Sequence, residues 1–397
     1  MTKSIVQGLL TVAASTSVLL AQGGGWSGGP GKGLSYDGGD QFTFKMSNQL
    51  QTQWAFTSND NGGTDTNSFT VRRARTQFSG TAFSKDIAYK LQLDAVDAGA
   101  TGDGAIKEGH IQWTFMRNDT SAIGLRMGQG KTHFGLEGTG SSKGLMFVER
   151  SLAARAFSDA YTRGIWVLGA HNNNSLRWGV GAINGSVAKD GGAIASTDVG
   201  EETSNSDNEL NYMAMINFDP MGDFTGGGSN ESFMQGDFRE GERPFIGTVG
   251  AAVALENAKA TGATAGTTAG EDVESMTFTI NTAWNFEGFQ VLGEFFSRHD
   301  EGDSSNVESD GTGYALSGSW VMPKGADSAV QWAFGARLAY VEPNDNANLD
   351  VTEFTIGADA FYHGHACKSQ LDYTLQQVNS TADATNHIVR FGFQLLF

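Results

Sequence analysis

Two short stretches concentrate positive charge in a chain that is otherwise acidic. Residues 69–90 carry Arg72, Arg73, Arg75, Lys85 and Lys90 against Asp86 alone. Residues 123–163 carry Arg126, Lys131, Lys143, Arg150, Arg155 and Arg163 against Glu137, Glu149 and Asp159. The whole chain has a formal net charge of −18, so the remainder is strongly acidic, as in the run Asp300, Glu301, Asp303, Glu308 and Asp310. Cations fixed in a narrow passage with low-dielectric walls attract anions more strongly than cations on an open surface, because the field is focused there. Rings of Arg or Lys are one way to build an anion path. The residues expected to line such a path are Arg73, Arg75, Lys90, Arg126, Lys131, Lys143, Arg150 and Arg155. The competing use of these arginines is a structural ladder paired with Asp94 and Asp97.

Other chemistries fit less well. Gly130-Lys131-Thr132 mimics the end of a phosphate-binding loop, but Leu125 stands where the leading Gly is needed. His363 and His365 lie in a tight turn without an evident third metal ligand, and the acidic run lacks the Gly and distal Glu of a calcium loop. No Ser-His-Asp or paired-carboxylate spacing stands out, so no enzyme, metal or cofactor is expected. The single cysteine, Cys367, excludes an internal disulfide framework. An acidic chain is also a poor nucleic-acid partner.

The elements that must position the cations are strands. Ile87, Tyr89, Leu91 and Leu93 alternate with Lys90, Gln92 and Asp94, and Met276, Phe278 and Ile280 with Thr277, Thr279 and Asn281. Val330, Trp332, Phe334, Ala336, Leu338 and Tyr340 alternate with residues that include Gln331 and Arg337. Each such segment has one apolar face and one polar or small face, as a wall between lipid and a watery lumen requires. No run of 18 apolar residues follows the N-terminus, so a spanning helix is excluded there, but a barrel wall needs only alternate apolar residues. About sixteen such segments lie between residues 41 and 397. Short connections alternate with long ones; 220–243 is the exception, long where a short turn is due.

The chain ends on the clearest of these strands. Val389, Phe391, Phe393, Leu395 and Phe397 share one face, with Arg390, Gly392 and Gln394 between them. This ending resembles the barrel-closing terminal signature of Gram-negative outer-membrane proteins. At the other end, Lys3 and the apolar run from Ile5 to Leu20 read as a signal peptide over 1–21. The Gly-rich stretch 22–40 reads as a flexible periplasmic linker, leaving 41–397 as the barrel domain. The fold expected is therefore all-β: a transmembrane antiparallel barrel, most simply of sixteen strands, in the outer membrane.

Two basic segments carry a closer resemblance. Arg126-Met127-Gly128-Gln129-Gly130-Lys131-Thr132-His133-Phe134-Gly135-Leu136-Glu137, then Ser141-Ser142-Lys143 and Phe147-Val148-Glu149-Arg150-Ser151-Leu152, look like the constriction-loop region of the phosphate-selective porin O and P family. Val71-Arg72-Arg73-Ala74-Arg75 with Phe78-Ser79-Gly80, and Tyr89-Lys90-Leu91-Gln92-Leu93-Asp94, resemble that family's second and third strands. The resemblance covers roughly 69–185 and the C-terminus. It implies an inward-folded third long loop, a homotrimer in outer-membrane lipid, and passive diffusion of small anionic solutes. Only 26 Lys and Arg occur here, fewer than in strongly phosphate-selective members, which points to weak anion preference. A secreted all-β enzyme or carbohydrate-binding protein, and a non-conducting outer-membrane barrel, are the alternatives.

Strand parity puts Arg73 and Arg75 on the lumenal face with Gln77 and Ser79. Arg72 then shares the lipid face with Ala74, Thr76 and Phe78, at a cost of about 2–4 kcal/mol at mid-depth. It is expected at the rim, against a neighbouring subunit, or at a bulge.

Overall fold

Polar residues face inward and apolar residues face outward in this protein, the reverse of a soluble one. In the computed structural model, which describes residues 25–96, 106–158, 161–187, 209–259, 270–343, 350–379 and 383–397, the pattern repeats from strand to strand. On the strand Asp272–Phe286, Thr277, Thr279 and Asn281 are buried while Met276 and Ile280 are each half exposed. On the outside of a lipid-embedded wall that arrangement is favourable, since every backbone group is satisfied between strands and the outer side chains meet hydrocarbon. No helix among the described residues is long and apolar enough to cross a membrane.

The strands run β1 Gly25–Gly29, β2 Gly33–Asp37, β3 Phe42–Asn59, β4 Thr66–Ala82, β5 Ser84–Asp94, β6 Ile106–Arg117, β7 Ala122–Lys131, β8 Tyr161–His171 and β9 Leu176–Ile183. They continue as β10 Asn211–Phe218, β11 Ile246–Lys259, β12 Asp272–Phe286, β13 Phe289–Gly302, β14 Glu308–Val321, β15 Gln331–Glu342, β16 Val351–Phe361, β17 Cys367–Val378 and β18 Ala384–Leu396. From β3 onward each pairs antiparallel with the next, and β18 pairs back onto β3 from Asn386↔Asn59 to Leu396↔Gln49. The result is a closed sixteen-stranded barrel. Closure leaves no unpaired edge in the bilayer.

The seam is made by the chain's ending strand. Phe391, Phe393, Leu395 and Phe397 are exposed on the outer face, Gly392 and Gln394 are buried inside, and Val389 shares the outer parity at partial burial. Phe397 exchanges backbone hydrogen bonds with Asn48, one in each direction. Aromatic pairs near the short-turn rim, Phe245 on Trp284 at 4.9 Å and Phe289 on Trp320 at 5.6 Å, sit where an interfacial belt belongs. Trp166 differs: it is buried inside against Ile183 and Met213.

The flexible linker expected over 22–40 is not what residues 25–37 form. β1 and β2 pair as a hairpin, and β2 extends onto β3 from Leu34↔Met46 to Asp37↔Thr43. Trp26 and Tyr36 pack across it at a tilt, with ring centres 5.0 Å apart. Its glycines serve closeness rather than looseness: Gly33 has φ +73°, and a Cβ there would lie 2.1 Å from the Met46 carbonyl oxygen. The expected signal peptide 1–21 lies outside the described residues.

Two connections position the interior. Residues 132–160, between β7 and β8, hold two short helices, α1 Leu136–Thr139 and α2 Leu152–Phe157. Residues 219–245, between β10 and β11 on the short-turn rim, are strand-free but well fastened at both roots. Buried Arg177 on β9 pairs with Asp219, whose carboxylate also accepts from Phe224 N at 2.7 Å. Asp237 pairs with Arg239 at 2.7 Å and accepts from Gly288 N at 3.0 Å. Asp300, the first of the acidic run, lies on β13, buried and paired with Arg298 at 2.7 Å.

Candidate pore constriction

Residues 132–158 of the connection between β7 and β8 are largely buried and bond to strands on opposite sides of the barrel. Glu149 is its hub. Arg72 Nε lies 2.5 Å from Glu149 Oε1 and Arg73 Nη2 lies 3.4 Å from Oε2, both from β4. From β15, Arg337 donates to the Glu149 carbonyl oxygen at 2.9 Å and covers the Phe147 ring at 4.5 Å. Asp372 on β17 accepts from Val148 N at 3.0 Å, and Glu294 on β13 accepts from the first two backbone amides of α1, Leu136 and Glu137. Acids at a helix start satisfy otherwise orphaned amides. Burial would raise the Glu149 pKa, but Arg73 and Arg72 outweigh it and hold the carboxyl at about 2.

Arg72 reaches this hub through a backbone irregularity. Gln51 on β3 faces Arg73 while Thr52 faces Val71, so Arg72 has no opposing residue. The extra residue re-aims a side chain that regular pleating would send into lipid. Of the three placements expected for Arg72, the bulge is the one found. Arg73 also donates to Gln51 Oε1 at 2.9 Å, and Arg75 pairs with Asp94 at 2.6 Å, as a structural ladder would have it. Asp97 lies outside the described residues.

The remaining candidate cations divide by task. Lys131 donates to the Gly138 and Gly140 carbonyls at 2.6 and 3.1 Å. Arg150 donates to the Glu137 and Gly140 carbonyls at 3.0 and 2.8 Å, so these two shape the loop itself. Arg155, partly exposed, pairs with Glu353 at 3.3 Å. Lys90 sits between Glu108 at 2.6 Å and Glu231 at 3.2 Å, and Arg126 meets Glu231 at 2.5 Å. Lys143 is different: among the described residues it has no carboxylate in ion-pair reach. Burial and the nearby Lys90 lower its pKa to about 8, with Lys45 and Arg75 adding to the effect against Glu108.

A cavity of about 190 Å³ lies here, lined by Gln49, Arg75, Lys90, Lys131, Lys143 and Glu231 among others. A second, of about 260 Å³, opens toward the short-turn rim and is lined by Gln112, Arg126, His133, Arg177 and Asn230 among others. The larger cleft of about 630 Å³ between Tyr212, Leu255 and Met276 is on the outward face and is no part of this site.

Sequence reasoning did not find Glu231, Arg337, Glu294 or Lys368, which donates to the Leu145 carbonyl at 2.5 Å. Arg337 stood on the polar face of its segment, and that parity was its only signal. No groups of His, Cys, Asp or Glu suited to hold a metal occur among the described residues.

The profile of the family described as phosphate-selective porin O and P matches residues 44–221. No curated protein sequence matches the chain significantly. Among solved structures, the chain is similar to an anion-selective porin from Comamonas acidovorans, with TM-score 0.59 and 11% identity over 90% of this chain and 100% of that one. It is similar to the outer membrane channel DcaP of Acinetobacter baumannii, with TM-score 0.57 and 12% identity over 90% of this chain and 98% of that one. The trimer form of OmpT, an outer membrane protein of Vibrio cholerae, gives TM-score 0.55 and 13% identity over 90% of this chain and 100% of that one. At such identities these likenesses are of fold. The family profile matches 44–221, under half of the chain, and the closed barrel with an apolar outer face is that of an outer-membrane protein.

Proposed function

We propose that the chain is a passive diffusion channel with a weak preference for small anions, set where connection 132–160 crosses the lumen. The observation that carries this reading is the charge around the 190 Å³ cavity: Arg75, Lys90, Lys131 and Lys143 face it against Glu108 and Glu231. Most of these cations are matched by an acid or bound to carbonyls, so strong binding of a permeating anion is disfavoured and a mild field remains. Lys143 supplies most of that field. The family and the fold point to a channel rather than an enzyme. The Comamonas neighbour is an anion-selective porin, which agrees with this preference, and the trimer form of the Vibrio neighbour agrees with a homotrimer in lipid.

The test is the reversal potential of the reconstituted protein in a salt gradient. Wild type should favour anions, and Lys143→Gln should move the potential toward cations by several-fold in permeability ratio, the scale of one unit charge at close range. A cation-selective wild type, or a variant identical to it, would overturn the reading. The dense filling of the lumen favours one second reading, a barrel that does not conduct; an absence of single-channel current from wild type would establish it.

A further inference from the structure

Connection 219–245 enters the lumen from the short-turn rim and meets connection 132–160 there. Gln235 donates to Glu137 Oε1 at 3.0 Å, Met146 N donates to Gln235 Oε1 at 2.8 Å, and Phe233 lies with Leu136 in one apolar cluster. At its tip, Asn230 accepts from Arg177 of the wall at 3.2 Å, and Glu231 meets two further wall cations, Arg126 at 2.5 Å and Lys90 at 3.2 Å. This cluster also stands between the two lumenal cavities. Lys90 and Glu231 line the 190 Å³ cavity, whereas Arg126, His133 and Asn230 line the one that opens to the short-turn rim.

We propose that Arg126 and Lys90 form a binding site for a small carboxylate, that Glu231 occupies it as a tethered stand-in, and that its side chain is thereby a gate between the two cavities. A permeating carboxylate replaces Glu231, whose side chain swings away while Asn230 beside it stays on Arg177 and Asn217. Two features carry this. Two wall cations converge on a carboxylate that comes from no wall strand but from a turn expected to be short. The rest of the segment is held to the wall by other contacts, Arg177 on β9 with Asp219, and Asp237 and Gly236 with Gly288 and Gln290, so loss of the Glu231 contact leaves it attached.

The inference rests on the diffusion-channel reading, and the experiment separates the two. Wild type, Glu231→Gln and Arg126→Gln are compared in planar bilayers, first in potassium chloride and then in potassium acetate. E231Q should raise single-channel conductance and raise the anion-to-cation ratio about fivefold, or ~1 kcal/mol, as expected for one lost negative charge near the path. R126Q should also raise conductance, because Glu231 loses its holder, but should shift the ratio toward cations and lower acetate current relative to chloride. If E231Q does not assemble, Glu231→Asp keeps the charge and shortens the reach; it should raise conductance with selectivity unchanged. Variants that conduct as wild type does would overturn the gate alone. No current from wild type or from any variant would overturn the diffusion-channel reading itself.

Discussion

Connections 132–160 and 219–245 enter the lumen from opposite rims, and they are held by different chemistry. The first is tied mainly through its backbone: Asp372 to Val148, Glu294 to Leu136 and Glu137, Arg337 to Glu149, Lys368 to Leu145, and Lys131 and Arg150 to carbonyls between 137 and 140. The second is tied to the wall by Arg177 and Asn217, which hold Asp219 and Asn230, and by Gly288, which donates to Asp237; its tip meets Arg126 and Lys90 through the Glu231 carboxylate. Many distributed bonds from several strands make a fixed frame, since loss of any one leaves the others. The Glu231 carboxylate at the tip can be exchanged for another anion. The difference assigns the first connection to shape and the second to control.

The largest expected effect breaks the frame at its one charged hub. Glu149→Ala leaves Arg73 buried without its carboxylate and should lower stability by about 3 kcal/mol, the scale for removing one partner of a buried pair. Denaturant unfolding of the detergent-folded barrel measures it. Glu231→Gln should cost less than half as much, because Lys90 keeps Glu108 and Arg126 keeps Gln112. Equal losses would erase the comparison. The Glu149 carboxyl is held at about 2 against an ordinary 4.5. Its contribution is therefore complete above pH 4.5 and is lost as pH falls toward 2, where wild type and Glu149→Ala should converge.

A smaller effect sharpens the functional side. Lys143 loses its proton near pH 8 rather than 10.5. The anion preference should therefore fall as pH rises from 7 to 9, and Lys143→Gln should show a flat profile over that range. The smallest effect is expected at the rim. Reversing the exposed charges of Glu301 and Glu308 on β13 and β14 should barely move the reversal potential, because exposed charges are screened within about 8–10 Å at physiological salt. A shift as large as that from Lys143→Gln would mean that rim acids, not the lumenal frame, set the field.

The wall was legible in the sequence. Alternation alone placed a strand over 328–341, and β15 runs Gln331–Glu342. The inward parity of Arg73 and Arg75 was legible for the same reason. Their neighbour Arg72 was not, because a single unopposed residue reverses the parity on which the reading depends. Nor was the hairpin of residues 25–37, where glycine density suggested looseness but close pairing with β3 requires glycine.

The sequence by itself determined the barrel, because the two-residue period is a local property: each strand answers separately to lipid on one side and water on the other. Parity also put Arg73 and Arg75, though not Arg72, on the inner face. Tertiary structure alone decided what those cations do. Glu149 lies 77 residues from Arg72, and Glu231 lies 141 residues from Lys90. Such partners meet only after closure brings β4, β5, β7 and β15 around the same space. Whether a lumenal cation attracts a passing anion or holds the chain's own carboxylate is therefore fixed by which connection fills that space, and no local pattern records it.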